Sequence, residues 1–229
     1  MRLPEKGETY MQYTFITVVL SCVVVALCAF PQPVYAQGLE PIQLLDPETD
    51  GGKPLMQVLQ QRKTSREFSS REIPLQTLSN LLWAAFGINR PESGKRTAPS
   101  AVNWQEFDIF VAMEKGVYRY DAAANVLRPV LPGDMRALTG MQDFVKEAPV
   151  NLIFVADYAR MGNASAEAKD FYAACDVGFI SQNVYLFCAS EGLATVVRGR
   201  FEKETLAEKL QLRSEQKVIL CQTVGYPAE

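Results

Sequence analysis

The sequence predicts one domain built from both strands and helices, and three features carry the prediction. Phe107 to Met113 is strand-like, Glu114-Lys115-Gly116 can turn, and Val117 to Asp121 returns as a second strand, so the pair makes a hairpin. Val150 to Ala156 and Val218 to Val224 are unbroken apolar runs of strand length, as strands covered on both faces require. Phe171 to Glu191 has helix length, no proline, and apolar residues around most of its circumference, which predicts a helix buried all round. A chain of 229 residues with 48% apolar content has enough hydrophobic surface to fold these pieces around a sizeable core.

From the amino terminus, residues 15–30 form a nearly continuous apolar run that Pro31-Gln32-Pro33 breaks. Val34-Tyr35-Ala36 then offers the small residues at −3 and −1 that a signal peptidase reads, which predicts an export signal over residues 1–36, cut after Ala36, and a periplasmic protein. Arg2 and Lys6 make a thin positive region diluted by Glu5 and Glu8, so the alternative is a membrane anchor retained over residues 15–30. Residues 37–53, with Pro41, Pro47, Asp50, Gly51 and Gly52, read as a linker or extended arm, leaving residues 54–229 for the globular domain.

Within that domain, Leu55, Met56, Val58 and Leu59 suit a short helix. Leu75, Leu78, Leu81, Leu82, Ala85 and Phe86 recur at helical spacing after Ile73-Pro74, with Gly87 as the stop. Asn89 to Ser100, rich in Pro, Gly, Ser and basic residues, reads as a loop. Gly192 ends the long helix, Ala194 to Val197 is a short strand, Arg198-Gly199-Arg200 turns, and Glu202 to Leu210 makes a final helix. In a chain this small, a helix apolar on every side is most simply covered by a second copy, so a homodimer is expected.

Composition excludes several function classes. A net charge of −3 without a long basic stripe gives nucleic acid no electrostatic purchase. Histidine is absent, which removes the usual general base, the commonest metal ligand and the middle member of a Ser-His-Asp triad. Cys22, Cys28, Cys175, Cys188 and Cys221 include no C-x-x-C pair and no zinc-like spacing, so no structural metal is expected. Cys175 and Cys188 are expected to pack in apolar surroundings on the long helix.

Three separated segments carry the chemistry. Gln61-Arg62-Lys63-Thr64-Ser65-Arg66-Glu67-Phe68 crowds three cations and two hydroxyls together, the groups that bind phosphate: charge from ammonium and guanidinium, a short hydrogen bond from a hydroxyl, and a fork that matches two oxygens at once. Arg96-Thr97-Ala98-Pro99-Ser100-Ala101-Val102-Asn103 follows a helix and a loop, and Glu191-Gly192-Leu193-Ala194-Thr195-Val196-Val197-Arg198-Gly199 follows the long helix. Neither a G-x-G-x-x-G nor a P-loop pattern occurs.

The ordered set resembles the nitroreductase family of FMN-dependent oxidoreductases, with its R-R-S-x-R-x-F-like opening, its P-S-x-x-N, and a helix ending in G-L followed by a glycine. Leu82 to Arg90, Arg96 to Ala101, Gly116 to Tyr120 and Val224-Gly225-Tyr226-Pro227 look most similar to its SagB-type dehydrogenase branch, whose enzymes oxidise azolines in peptides. The resemblance covers Pro54 to Pro227. It implies an α+β domain with a mixed, largely antiparallel sheet flanked by helices and dimerised through long helices. It also implies that Arg62, Lys63 and Thr64 bind the FMN phosphate and ribityl chain while Arg66 lies near the pyrimidine edge. Pro99, Ser100, Ala101 and Asn103 would approach the isoalloxazine from the other subunit, and Val197, Arg198 and Gly199 would line its face near N5.

The implied activity moves electrons from a reduced donor such as NAD(P)H to a small organic acceptor, a nitro compound or a quinone. The rivals are azoline oxidation on a peptide and a flavin-binding module without catalysis. The chain departs from the family at Glu106, where N-x-Q-P becomes Asn103-Trp104-Gln105-Glu106, and at Arg198, a position usually apolar. Relatives that continue past G-Y-P with basic residues use them on the phosphate, so here the opening cluster is expected to bear more of that task.

Overall fold

The computed structural model describes residues 38–228. The expected leader, its alternative anchor, and Cys22 and Cys28 lie outside them. In chain order the elements are strand β1 (Ile42–Gln43), helices α1 (Leu55–Gln61) and α2 (Leu75–Phe86), small strands β2 (Ile88–Arg90) and β3 (Lys95–Arg96), and strands β4 (Phe107–Met113), β5 (Gly116–Asp121) and β6 (Val126–Pro132). There follow the single-turn helix α3 (Phe144–Glu147), β7 (Val150–Asp157), the long helix α4 (Ala166–Glu191), β8 (Ala194–Arg198), α5 (Lys203–Lys209) and β9 (Gln216–Gly225).

One seven-stranded sheet, in the order β1-β6-β5-β4-β7-β9-β8, forms the middle layer. Every pairing in it is antiparallel. The hairpin closes with Met113 opposite Gly116, and β4 then pairs β7 with Ile109 opposite Phe154. All eight residues of β7 are buried, which is why it reads as a continuous apolar run. Alternation splits the core in two. Ile109, Val111, Leu152 and Phe154 face α2 and α4 with Leu81, Leu82, Val177, Ile180 and Val184, while Phe110, Ala112, Ile153 and Val155 pack with Leu206 of α5 and Leu210 just after it.

The long helix starts five residues earlier than its apolar pattern suggests, because Ser165 caps it by accepting from Ala168 N–H at 3.2 Å. Gly192, at φ 71°, ends it in the left-handed region that favours glycine. Within one chain this helix is buried on one side only. One stripe, Ala173, Val177, Ile180, Val184 and Cys188, is in the core, while Phe171 and Phe179 are exposed. Cys175 is likewise exposed, against the expectation, because it lies off that stripe; Cys188 and Cys221 are buried, and all three are free thiols.

Of the two readings of this stretch, linker or extended arm, residues 38–53 form the arm. Leu39 and Leu44 are core residues, and β1 adds to the edge of β6 with Ile42 opposite Leu127. The arm is then tied to α2 by the Ser79 hydroxyl on Leu45 O and by Glu48 N–H on Asn80 Oδ1 at 2.9 Å, and reaches α4 through Lys53 N–H on Ser190 Oγ at 3.0 Å. Its prolines are compatible with this because an edge strand leaves half its backbone groups without ladder partners. Residues 89–100, expected as plain loop, contain the small β2–β3 hairpin.

Candidate functional site

At the end of α1 the backbone turns extended at Arg62, with φ −55° and ψ 122°. The basic segment that follows is strapped to the sheet. Ser65 N–H donates to Thr195 O of β8 at 3.0 Å, Ser69 N–H donates to Tyr226 O at 2.9 Å, and Phe68 bridges Pro227. Tyr185 of α4 lies beneath the strap, and its hydroxyl accepts Val197 N–H at 3.1 Å. That leaves the phenolic hydrogen for Thr64 Oγ1, also 3.1 Å away. The Arg62 guanidinium sits over the same ring, 5.3 Å from its centroid. Two of the three segments singled out in the sequence therefore meet on one buried tyrosine.

Beside this junction is a cleft of about 380 Å³ lined by Lys53, Gln61, Lys63, Ser65, Tyr185 and Thr195 among others. Lys63 and Ser65 line it, whereas Arg62 and Thr64 engage Tyr185, and Arg66 is exposed. Lys53 brings a second ammonium, held by Gln61 Oε1 at 3.0 Å and Ala189 O at 3.4 Å. Sequence reasoning missed both Lys53, hidden in the supposed linker, and Tyr185. The signal for Tyr185 was its place on the buried stripe of α4, since a buried tyrosine hydroxyl needs a partner.

The third segment is elsewhere in the same chain. Pro99 and Asn103 are exposed, Ser100 and Ala101 half-buried, and the loop is docked on α4 by Ala101 N–H donating to Asp176 Oδ2 at 2.8 Å. Asp176 and Tyr185 are separated by roughly 13 Å of helix, so a single chain does not bring residues 99–103 to the Tyr185 junction. The loop is wound tightly: Val102, Asn103 and Gln105 have φ of 51°, 59° and 47°, left-handed values that L side chains rarely adopt. Ser100 Oγ accepts Gln105 N–H at 2.9 Å across it.

Both departures from the family pattern are buried. Val197 lies against Tyr185, so alternation along β8 turns Arg198 to the opposite face, where it is 6% exposed. Its guanidinium donates to Thr139 O, to Asn151 Oδ1 at 2.9 Å and to Thr223 Oγ1 at 2.7 Å. Among the described residues no carboxylate is its partner; burial lowers its pKa, and the neighbouring Cys221 thiol is pushed up to about 12, chiefly by its own burial. A Cβ on Gly140 would collide with this guanidinium. On the α4 side that leaves Val197 and the backbone of residues 198 and 199 to line a site. Glu106 is fully buried, and among the described residues neither of its carboxyl oxygens has a hydrogen-bond partner. Burial first, and Asp176 beside it second, push it up to about 7.

The three comparisons with known proteins agree. The nitroreductase family profile matches residues 59–226. MJ1384 of Methanocaldococcus jannaschii, a candidate nitroreductase, is 34% identical over 169 residues, covering 69% of this chain and 85% of that protein. The crystal structure of a candidate nitroreductase from Ralstonia eutropha superposes with a TM-score of 0.80 at 41% identity, over 87% of this chain and 95% of that one. A chain of the E. coli microcin synthetase McbBCD complex has the same fold at 17% identity, with a TM-score of 0.64 over 93% of both chains. With the antiparallel sheet, the flanking helices and the ordered motifs in place, the chain belongs to the nitroreductase family of oxidoreductases.

Proposed function

We propose that this protein is an exported, homodimeric FMN oxidoreductase that takes electrons from a reduced donor, NAD(P)H or another, and passes them to a small organic acceptor such as a nitro compound or a quinone. The observation that carries the reading is the meeting of the opening cluster and the end of β8 on Tyr185, with Lys53 and Lys63 in the adjoining cleft. Those cations and hydroxyls fit a phosphate-bearing cofactor.

FMN, when bound, supplies hydride transfer. The chain supplies the rest. Arg62 and Lys63 neutralise the phosphate, Thr64 hydrogen-bonds the ribityl end, and Arg66 places positive charge where the pyrimidine edge gains negative charge. The backbone of Val197, Arg198 and Gly199 shapes the wall against the ring, and Tyr185 fixes that wall by holding Val197 N–H. Pro99, Ser100, Ala101 and Asn103 complete the site from the second copy, consistent with their distance from Tyr185 in their own chain. The exposed Phe171 and Phe179 of α4 suit the surface that such a copy would cover.

Absorbance of the purified protein, with flavin fluorescence after denaturation, tests the cofactor. A colourless protein that takes up no added FMN overturns the proposal. Arg62→Ala is expected to weaken FMN binding by about 1.5 to 3 kcal/mol, the range for hydrogen bonds to charged groups, in a fluorescence titration. Anaerobic bleaching of bound flavin by NADH or NADPH separates a nicotinamide-fed reductase from the SagB-type alternative, azoline oxidation on a peptide. Flavin that neither donor nor azoline peptide can reduce points to a binding module. Fractionation with amino-terminal sequencing tests export and whether residues 15–30 stay as an anchor.

A further inference from the structure

Glu106 is where the chain departs from N-x-Q-P, and its surroundings give it a task. A fully buried carboxylate without a donor is strongly unfavourable, so it must either find a partner or hold a proton. Its cationic and hydroxyl neighbours are engaged elsewhere. From the Tyr158–Met161 turn, Arg160 pairs with Asp108 of β4 at 2.7 Å, lies 3.6 Å from Asp157 and donates to Gln105 O at 3.2 Å. Tyr158 donates its hydroxyl to Asp170 Oδ1 at 2.6 Å. From α4 the group beside Glu106 is Asp176, 3% exposed, which already uses one oxygen to hold Ala101 N–H.

We propose that Glu106 carries a proton in the folded protein and forms, with Asp176, the positioning pair of the loop over residues 99–105. The flavin reading supplies the loop's task, though the pair itself does not depend on it. With the proton present, Glu106 is a neutral donor beside a carboxylate acceptor, and the loop's root at Glu106 and its crest at Ala101 are tied to the same residue of α4. With the proton lost, two carboxylates face each other out of water and repel. The strain at Val102, Asn103 and Gln105 makes the loop ready to relax once that tie goes. The proton comes from solvent and returns to it, so no other reactant is needed. A proline at this position, as in the family pattern, would hold the loop by rigidity alone; here the hold is titratable.

The test compares wild type with Glu106→Gln, which keeps shape and a donor but cannot ionise. Melting midpoints of the two proteins, without added flavin, are followed from about pH 5.5 to about pH 8.5, with FMN titrations in parallel. Wild type is expected to lose several degrees across the window and to weaken toward FMN by up to roughly tenfold per pH unit, while Glu106→Gln stays flat in both. Equal pH slopes in the two proteins overturn the proposal. If neither protein binds FMN at any pH, the flavin reading fails and the melting series alone decides on the pair. Should Glu106→Gln not fold, infrared spectra of wild type remain decisive: a protonated carboxylic-acid carbonyl band at neutral pH that disappears at alkaline pH supports the buried proton, and its absence overturns it.

Discussion

Arg198 and Glu106 are buried ionisable side chains in one small domain, and they meet the same problem in opposite ways. Arg198 keeps its charge because the ends of β7, β8 and β9 and the Arg136–Thr139 turn converge neutral oxygens on it. Glu106 has no donor, and the geometry around it leaves protonation as the route to neutrality. A sheet interior offers many carbonyl and hydroxyl acceptors to a guanidinium fork, whereas a carboxylate needs donors, which ladder hydrogen bonds have already consumed.

Removing the guanidinium tests that contrast most severely. Arg198→Ala removes the donor to Thr139 O and Thr223 Oγ1, leaves Asn151 Oδ1 with the Thr223 hydroxyl alone and opens a void, and is expected to lower stability by about 3 to 5 kcal/mol in urea unfolding. A loss under about 1 kcal/mol would mean that the cage is incidental. Gly140→Ala presses on the same cage from outside and should cost about 1 to 3 kcal/mol, with Arg198→Met in the same background recovering part of it.

A smaller effect is expected on the α4 side. Tyr185→Phe removes the acceptor for Val197 N–H and the donor to Thr64, for a loss of about 1 to 2 kcal/mol with a matching drop in FMN affinity if the wall of the site moves. Stability loss without any change in affinity would separate the junction from the cofactor.

The smallest and most directional effect belongs to Glu106→Gln. Because the folded pKa is raised above the unfolded carboxyl value, wild-type stability from this group is present below about pH 4.5 and is lost as pH rises through about 7. The variant should therefore change stability by less than about 1 kcal/mol at low pH and exceed wild type above neutrality.

Much of the fold was legible. β4 lies where its apolar pattern placed it, and α2 runs between the residues that Pro74 and Gly87 mark as its limits. β6 was hidden because Val126-Leu127-Arg128-Pro129-Val130-Leu131-Pro132 carries two prolines, which argue against a strand. Pro129 is tolerated where the register slips beside Tyr118, on a strand whose other neighbour is only the two-residue β1. β1 itself is too short to show periodicity, and its burial comes from the sheet it joins.

The site was legible as motifs and not as geometry. Spacing singled out Arg62 to Arg66 and Val197 to Gly199, but that Thr64 and Val197 meet on Tyr185 is set by the packing of α4. Alternation along β8 could have shown that Arg198 and Val197 face opposite ways. Asp176, the single acid between Phe171 and Ser190, was the overlooked sign that the long helix carries more than a core stripe.

The arm from Leu39 to Lys53 starts at one edge of the sheet and ends beside the cleft, with β1 and β8 separated by six strand spacings, about 29 Å. It is a belt fastened at both ends. A pull applied at the amino-terminal side is taken up first by the β1–β6 bonds and the buried Leu39 and Leu44. Lys53 and its cleft lie beyond those attachments, so such a pull reaches the candidate site only after the edge strand has peeled away.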